Sequence, residues 1–178
     1  PVDGDAFVPT IGVTFAYVGD SAHPCNSLST TLTKLGMHVR IGNAKGYEIR
    51  DEVKENAARF AAESGGSFLL TNDPLEAIDG ADFIYTDCWW WTGQEEEYAD
   101  RIAAFKPFQV NPELWSHAKP TTKFMHCLPA MRGEEVVDEI ADGEMSIIFP
   151  QAQNRMHFQK GLMLALIGID ELPADPAL

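Results

Sequence analysis

Three polar residues of this sequence lie where chemistry could use them: Asp87, Cys127 and Arg155. Cys127 follows an apolar stretch that is predicted to be a buried strand, and Pro129 ends that strand two residues later. Asp87 also follows a predicted strand, where a buried carboxylate needs a cationic partner. The Arg155 guanidinium can hold a carbonyl or phosphate oxygen by parallel hydrogen bonds. Taken singly, each residue has a plainer interpretation. A lone cysteine beside a strand is usually inert core, a helical arginine is usually solvated, and an aspartate at a strand end can simply cap the next helix.

The elements that must position these residues follow from the hydrophobic pattern. Apolar, β-branched runs alternate with stretches of helical spacing, which is typical of a parallel sheet covered on both faces. Strands are predicted over residues 11–18, 37–41, 67–70, 82–86 and 123–126. Helices are predicted over residues 24–35, 48–64, 74–78, 95–105, 112–117, 134–141 and 151–167, with a short extended piece at 146–149.

This pattern predicts an α/β fold, a doubly wound, Rossmann-like parallel sheet of about five strands with helices on both faces. The loops after the first, fourth and fifth strands and the start of the last helix should then lie close together. Open α/β sheets bind small ligands at that carboxyl edge. The residues of the 178-residue chain form a single domain in this interpretation.

Several motifs together resemble the ornithine carbamoyltransferases, in that family's order and from about residue 11 to residue 167. The most specific is His126-Cys127-Leu128-Pro129, followed by Gln153-Asn154-Arg155 in the last helix. Residues 70–77, 85–87, 93–97 and 105–111 look like the same family. The resemblance implies transfer of a carbamoyl group from carbamoyl phosphate to the amine of ornithine, giving citrulline and phosphate.

The resemblance also implies a role for each matching residue. Asp87 would bind the amino group of ornithine, while the Cys127 thiol and the Leu128 carbonyl would contact the carbamoyl nitrogen and the attacking amine. Arg155 would polarise the carbamoyl oxygen. His126 alternates to the other face of its strand and is predicted to be structural.

Two positions depart from the family pattern. His23 stands where the family has an asparagine that holds the amino-acid head of ornithine, and Trp91-Thr92-Gly93 replaces a Ser-Met-Gly triplet that binds the same head. One explanation is that His23 and the helix start after Pro24 receive the carboxylate instead. The other is that the second substrate is putrescine or another amine lacking a carboxylate. Both explanations remain open at this point, as does a non-catalytic domain that binds an amino acid or an amine.

No Ser-x-Arg-Thr-Arg loop for carbamoyl phosphate occurs in the sequence. By resemblance, the chain is only the second-substrate domain, and residues 151–167 would cross back to an absent amino-terminal carbamoyl-phosphate domain. The isolated chain is therefore expected to be inactive. The resemblance further suggests a homotrimer, contacted mostly through the other domain.

Composition excludes several other classes of protein. A net charge of −14 argues against nucleic acid and against anionic membrane surfaces as partners. The three cysteines are an odd number and include no Cys-x-x-Cys pair, which argues against a disulfide framework and against a zinc site. This cysteine content is typical of a protein in the reducing cytoplasm. No apolar run reaches the length of a membrane span, and no signal peptide is recognised. No metal or organic cofactor is implied.

Overall fold

Five parallel strands alternate with helices along the chain, in a computed structural model that describes residues 10–21 and 24–169. The strands are β1 (Thr14–Val18), β2 (His38–Gly42), β3 (Ser67–Thr71), β4 (Phe83–Thr86) and β5 (Lys123–His126). The helices are α1 (Pro24–Lys34), α2 (Asp51–Ser64), α3 (Pro74–Ile78), α4 (Tyr98–Phe105), α5 (Pro112–Trp115), α6 (Asp138–Ala141) and α7 (Ile148–Leu166). Two single 3-10 turns, Glu95–Glu97 and Lys106–Phe108, flank α4.

The strand order is β3-β2-β1-β4-β5, and every neighbouring pair is parallel. The chain therefore winds outward in one direction from β1 to β3 and then crosses to the other side of β1 for β4 and β5. This reversal between β1 and β4 opens a crevice at the carboxyl edge of the sheet. The predicted doubly wound α/β fold is confirmed.

Two hydrophobic clusters cover the two faces of the sheet, because side chains alternate along each strand. Phe15 and Tyr17 of β1 belong to one cluster, whereas Ala16 and Val18 belong to the other. The second cluster also contains Trp89, which is fully buried and stacks on Phe105 with ring centroids 5.9 Å apart. Trp89 is thus a core residue.

Local chemistry explains several helix boundaries. The Asp73 carboxylate accepts the Leu75 N–H and caps α3, and Asn111 accepts the Leu114 N–H and caps α5 in the same way. Both helices carry proline at their first position, where its missing N–H costs nothing. Gly65 ends α2 in the left-handed conformation with φ of 82°.

Two predicted elements are wrong. The helix predicted from residue 134 begins only at Asp138. Gly133 has φ of 90°, and Val136 bridges to both Val110 and Arg132, so residues 133–136 form a turn held by tertiary contacts. The extended piece predicted at 146–149 is also wrong, because only Ser146 bridges to β5 and α7 already begins at Ile148.

The last helix, α7, packs against β5 but leaves much of its apolar surface exposed. Its strongly exposed apolar residues are Phe149, Met156, Phe158, Leu162, Met163 and Leu166. Within the described residues, no helix combines the length and hydropathy that crossing a membrane requires.

Candidate functional site

The centre of the candidate site is the pair Asp87 and Cys127, which lie side by side because their strands are in register. Thr86 at the end of β4 pairs with His126 at the end of β5, so the next residue of each strand meets the other at the carboxyl edge. The Cys127 thiol donates to the Asp87 Oδ1 at 3.1 Å, and the Cys88 N–H donates to the same oxygen at 2.8 Å. Two residues that were singled out separately in the sequence are thus in contact.

The other carboxylate oxygen of Asp87 has no partner in the described part of the protein. Asp87 is only 2% exposed, and its Oδ2 is buried without a hydrogen bond. The sequence predicted that this carboxylate needs a cation, yet among residues 10–21 and 24–169 no lysine or arginine bridges to it. A buried carboxylate with an unused oxygen is suited to receive the cationic group of a ligand.

Cys127 is a hydrogen-bond donor rather than a nucleophile in this setting. Burial and the neighbouring Asp87 carboxylate raise the pKa of the Cys127 thiol to about 12. The reactive form of cysteine is the thiolate, which would be scarce near neutral pH at such a pKa. Cys127 can therefore position a bound group, and the site shows no activated thiol for covalent catalysis.

A buried pair, His126 and Glu135, holds the turn that follows Cys127. Both side chains are fully buried, and His126 Nε2 lies 3.2 Å from Glu135 Oε1. The other ring nitrogen, Nδ1, accepts the Leu128 N–H at 2.8 Å, which places the ring proton on Nε2. Leu128 has φ of 59°, a conformation that needs external support in a non-glycine residue. His126 supplies that support, in agreement with its predicted structural role.

Further bonds complete the support of this turn. Glu135 Oε1 also accepts the Met131 N–H at 2.6 Å, and the Cys88 thiol donates to the Pro129 carbonyl at 3.1 Å. Burial, followed by the Glu135 charge, raises the pKa of Cys88 to about 12, so this thiol keeps its proton as well. The direction of the Leu128 carbonyl is therefore fixed from both sides of the turn.

Arg155 lies about two turns into α7 and lines one cleft of about 470 Å³ together with Cys127. Tyr85, Gln151 and Asn154 line the same cleft. Gln151 connects α7 to both strands, because its Oε1 accepts the His126 N–H at 3.2 Å and its Nε2 donates to the Tyr85 hydroxyl at 3.4 Å. Burial raises the pKa of Tyr85 above its usual range, so its hydroxyl is neutral beside Cys127. The exposed Arg155 is free to reach a ligand in this cleft.

The tryptophan loop after Asp87 contains the other predicted site residues. Trp91 is half-buried, and its backbone N–H donates to Gln94 Oε1 at 3.0 Å, while Thr92 is exposed. Trp90 donates to Glu134 at 2.9 Å and meets Tyr98 edge to face. His23, the remaining predicted residue, lies outside the described residues.

Sequence reasoning missed Glu135, Tyr85 and Gln151 as parts of the site, and it missed the buried Arg101. Arg101 could have been found from helical spacing, since it shares the buried face of α4 with Phe105, four residues later. Tyr85 alternates with the core residue Ile84 along β4 and so faces the other side of the sheet. Glu135 had no such signal, because its burial depends on the tertiary turn at Gly133.

One group of side chains could hold a metal ion by composition. Ligand atoms of Asp87, Cys88 and His126 lie within 4.8 Å of one another and all three residues are buried. However, both ring nitrogens of His126 already have protein partners, and the Cys88 thiol donates to a carbonyl. We therefore interpret this group as a hydrogen-bonded support of the turn.

The doubly wound sheet, with polar side chains converging on a cleft at its switch edge, defines a small-ligand-binding α/β domain. The family model described as Aspartate/ornithine carbamoyltransferase, Asp/Orn binding domain, matches residues 11–166. The chain belongs to this family and corresponds to its Asp/Orn-binding domain.

Individual relatives agree with this assignment. The chain is 49% identical over 156 residues to an ornithine carbamoyltransferase of Bacillus subtilis (strain 168), covering 88% of the chain and 49% of the relative. It is 50% identical over 157 residues to an ornithine carbamoyltransferase of Thermococcus kodakarensis, covering 88% and 50%. The solved ornithine carbamoyltransferase from Pyrococcus furiosus superimposes with a TM-score of 0.83 at 48% identity, covering 87% of the chain and 50% of that structure. The chain thus spans about half the length of the relatives it matches.

Proposed function

We propose that this chain is the second-substrate half of a carbamoyltransferase that transfers the carbamoyl group of carbamoyl phosphate to the side-chain amine of ornithine. The observation that carries the proposal is the buried, unused Oδ2 of Asp87 beside the protonated Cys127 thiol. The sequence identity of 49–50% to ornithine carbamoyltransferases supports ornithine as the amine.

The reaction needs a neutral amine aimed at the carbonyl carbon and donors aimed at the oxygen on which charge develops. In this proposal the Asp87 carboxylate and the Leu128 carbonyl accept hydrogen bonds from the attacking nitrogen and so direct its lone pair. The new C–N bond forms while the bond from carbon to the phosphate oxygen breaks. Phosphate leaves with that electron pair, and the attacking nitrogen loses one proton, which the departing phosphate accepts. Arg155, which lines the same cleft as Cys127, is the donor this chain offers to the carbamoyl oxygen.

The rest of the site is proposed to come from a second domain. The contacts to phosphate have no counterpart in the sequence motifs of this chain, and relatives are twice as long. The exposed apolar face of α7 supports the proposal that residues 151–167 contact this carbamoyl-phosphate domain. A homotrimer of the full-length protein, a cytoplasmic location and independence from cofactors stay predictions.

A second candidate substrate is putrescine, which lacks the carboxylate of ornithine. The observation that favours it is the tryptophan loop, where the half-buried Trp91 and the exposed Thr92 stand in place of the serine and methionine with which the family pattern binds the amino-acid head. The same loop is compatible with a domain that binds an amine without catalysis. The two enzymatic alternatives differ in which amine is carbamoylated fastest, whereas the non-catalytic domain would carbamoylate none.

An amine screen on the full-length protein tests the proposal. Carbamoyl phosphate is supplied with ornithine, putrescine, lysine or aspartate, and the ureido product is measured by colour development. Ornithine as the fastest substrate supports the proposal, whereas putrescine as the fastest supports the second candidate. Binding of ornithine in calorimetry without turnover of any amine would establish the non-catalytic alternative.

A further inference from the structure

Arg101 is a buried arginine that no part of the proposed chemistry uses. It lies on α4 and is only 5% exposed. Its Nε donates to the Trp89 carbonyl at 2.6 Å, and its Nη2 forms an ion pair with Asp20 Oδ1 at 2.9 Å. Its Nη1 reaches the exposed Glu97 carboxylate at 3.2 Å. A guanidinium that is buried and engaged on all three nitrogens is held in one orientation.

The partners of Arg101 belong to three different loops at the carboxyl edge of the sheet. Asp20 follows β1, Trp89 follows β4, and Tyr47 follows β2, with the Tyr47 ring centroid 5.0 Å from the guanidinium carbon. These are three adjacent strands in the order β2-β1-β4, so one side chain links the loops that follow all three of them. We name this arrangement the Arg101 clamp, consisting of Arg101, Asp20, Tyr47 and Trp89.

The clamp acts on loops that carry predicted substrate contacts. The loop after β4 runs from Asp87 to Gly93. Arg101 holds this loop by a hydrogen bond to the Trp89 carbonyl, and Trp89 lies midway in the sequence between Asp87 and Trp91. The loop after β1 leads from Asp20 into α1, past the position of His23 in the sequence. Arg101 therefore joins the loop after β1 to the loop after β4, through the Asp20 carboxylate and the Trp89 carbonyl.

We propose that Arg101 is a positioning residue for the second substrate, which fixes the separation of the loops after β1 and β4 without contacting the substrate. This inference rests on the proposed function for its kinetic part. A displacement of about 1 Å in a positioning element can reduce the rate of a reaction about 100-fold. Lysine cannot replace this arginine, because one ammonium lacks the planar fork that reaches the Trp89 carbonyl and Asp20 together.

The test must separate positioning from simple stabilisation of the fold. Arg101→Gln alone would remove the guanidinium that pairs with the buried Asp20 carboxylate, and this would destabilise the protein whether or not Arg101 positions the loops. The paired change Asp20→Asn with Arg101→Gln removes both charges and keeps similar shapes. Arg101→Lys keeps the positive charge without the guanidinium. Arg59→Gln is the matched control, because it removes a guanidinium whose contacts, to Glu63, Asn56 and Phe60, all lie on the surface of α2.

Two measurements are made on each full-length variant. The first is steady-state kinetics with each substrate varied in turn, and the second is amide hydrogen exchange followed by mass spectrometry. For the paired variant we expect an unfolding midpoint near that of the unaltered protein and kcat/KM for the amine lowered about 10- to 100-fold. The KM for carbamoyl phosphate should change less than about threefold. Exchange should accelerate at residues 19–21 and 87–93, with β4 and β5 unchanged.

Each outcome decides the proposal. Wild-type amine kinetics in a paired variant of restored stability would show that Arg101 serves the fold alone, and unchanged exchange in both loops would overturn the clamp. Arg101→Lys must resemble the paired variant, and Arg59→Gln must resemble the unaltered protein. If the unaltered protein carbamoylates no amine, the proposed function fails, while the exchange result still decides whether the clamp fixes these loops.

Discussion

Replacing Asp87 with asparagine removes one negative charge from the candidate site and leaves its shape almost unchanged. The asparagine carbonyl can still accept the Cys88 N–H and the Cys127 thiol hydrogen, which are the two bonds now made by Oδ1. What is lost is the charge on the enclosed carboxylate and the acceptor at Oδ2. The variant therefore isolates the proposed contact with the amine.

The expected effect follows from burial. Asp87 is 2% exposed, so water cannot replace the carboxylate as a partner of a bound amine. The attacking nitrogen gains positive charge as the C–N bond forms, so Asp87 is paired with a charge in the transition state. Truncating one partner of a buried, hydrogen-bonded charge pair costs about 2–5 kcal/mol. At about 1.4 kcal/mol for each factor of ten, kcat/KM for the amine should fall about 30-fold to about 4,000-fold. The free energy of unfolding at pH 7 should not fall, because the variant removes a buried charge that has no protein cation.

The assay is steady-state formation of the ureido product by the full-length protein, with urea denaturation as the measure of folding. Asp138→Asn is the matched control, since it makes the same chemical change at a carboxylate that is 74% exposed and pairs with Arg132 on the surface. A kcat/KM for Asp87→Asn within about threefold of the unaltered protein would refute the assigned role. Equal losses in both variants would also contradict it.

Four further predictions follow from the same geometry. The isolated 178-residue chain should form no ureido product from carbamoyl phosphate and ornithine, and turnover matching the full-length protein would contradict the two-domain proposal. His126→Ala should lower the free energy of unfolding by about 2–6 kcal/mol in urea denaturation, because the buried Glu135 carboxylate loses one of its two donors and the Leu128 N–H loses its acceptor; an unchanged midpoint would count against the pair. Because burial and Asp87 raise the pKa of Cys127 from 9.0 to about 12, its thiolate fraction at pH 8 should be about a thousandfold lower than for a free thiol. Iodoacetamide labelling mapped to the Cys127 peptide should be slower by a similar factor, and labelling at the rate of a model peptide would disprove the protonated state. Finally, the ratio of kcat/KM for ornithine over putrescine should lie well below about 10⁴, and the double change Trp91→Ser with Thr92→Met should raise it; strict ornithine specificity in the unaltered protein would show that other groups bind the carboxylate.

Hydrophobic periodicity was sufficient to predict the sheet. Runs of apolar residues at strand length, separated by helical spacing, allow few arrangements other than a parallel, doubly wound sheet. The same pattern placed Asp87 and Cys127 at strand ends. Parallel strands all end at one edge, so the meeting of these two residues was predictable without knowledge of any side-chain contact.

Local signals failed where a long-range contact competes with helix propensity. Glu134 and Glu135 follow a glycine and precede apolar residues, which is typical of a helix start. In the structure the Glu135 carboxylate is instead buried against the His126 ring and the Met131 N–H, and α6 begins three residues later. A buried acceptor with two partners outweighs the weak interaction of a carboxylate with a helix end.

The amino-acid sequence by itself determined which residues lie at the carboxyl edge, because strand register depends on a period of two that the pattern of apolar residues contains. Only the tertiary structure decided how those residues are held. Burial leaves Oδ2 of Asp87 without a hydrogen bond and keeps the Cys127 thiol protonated. The contacts of Arg101 with three loops likewise depend on groups that are distant in the sequence. Burial of a polar group is favourable only with partners in place, so such sites are specified by the folded neighbourhood and not by any local stretch of sequence.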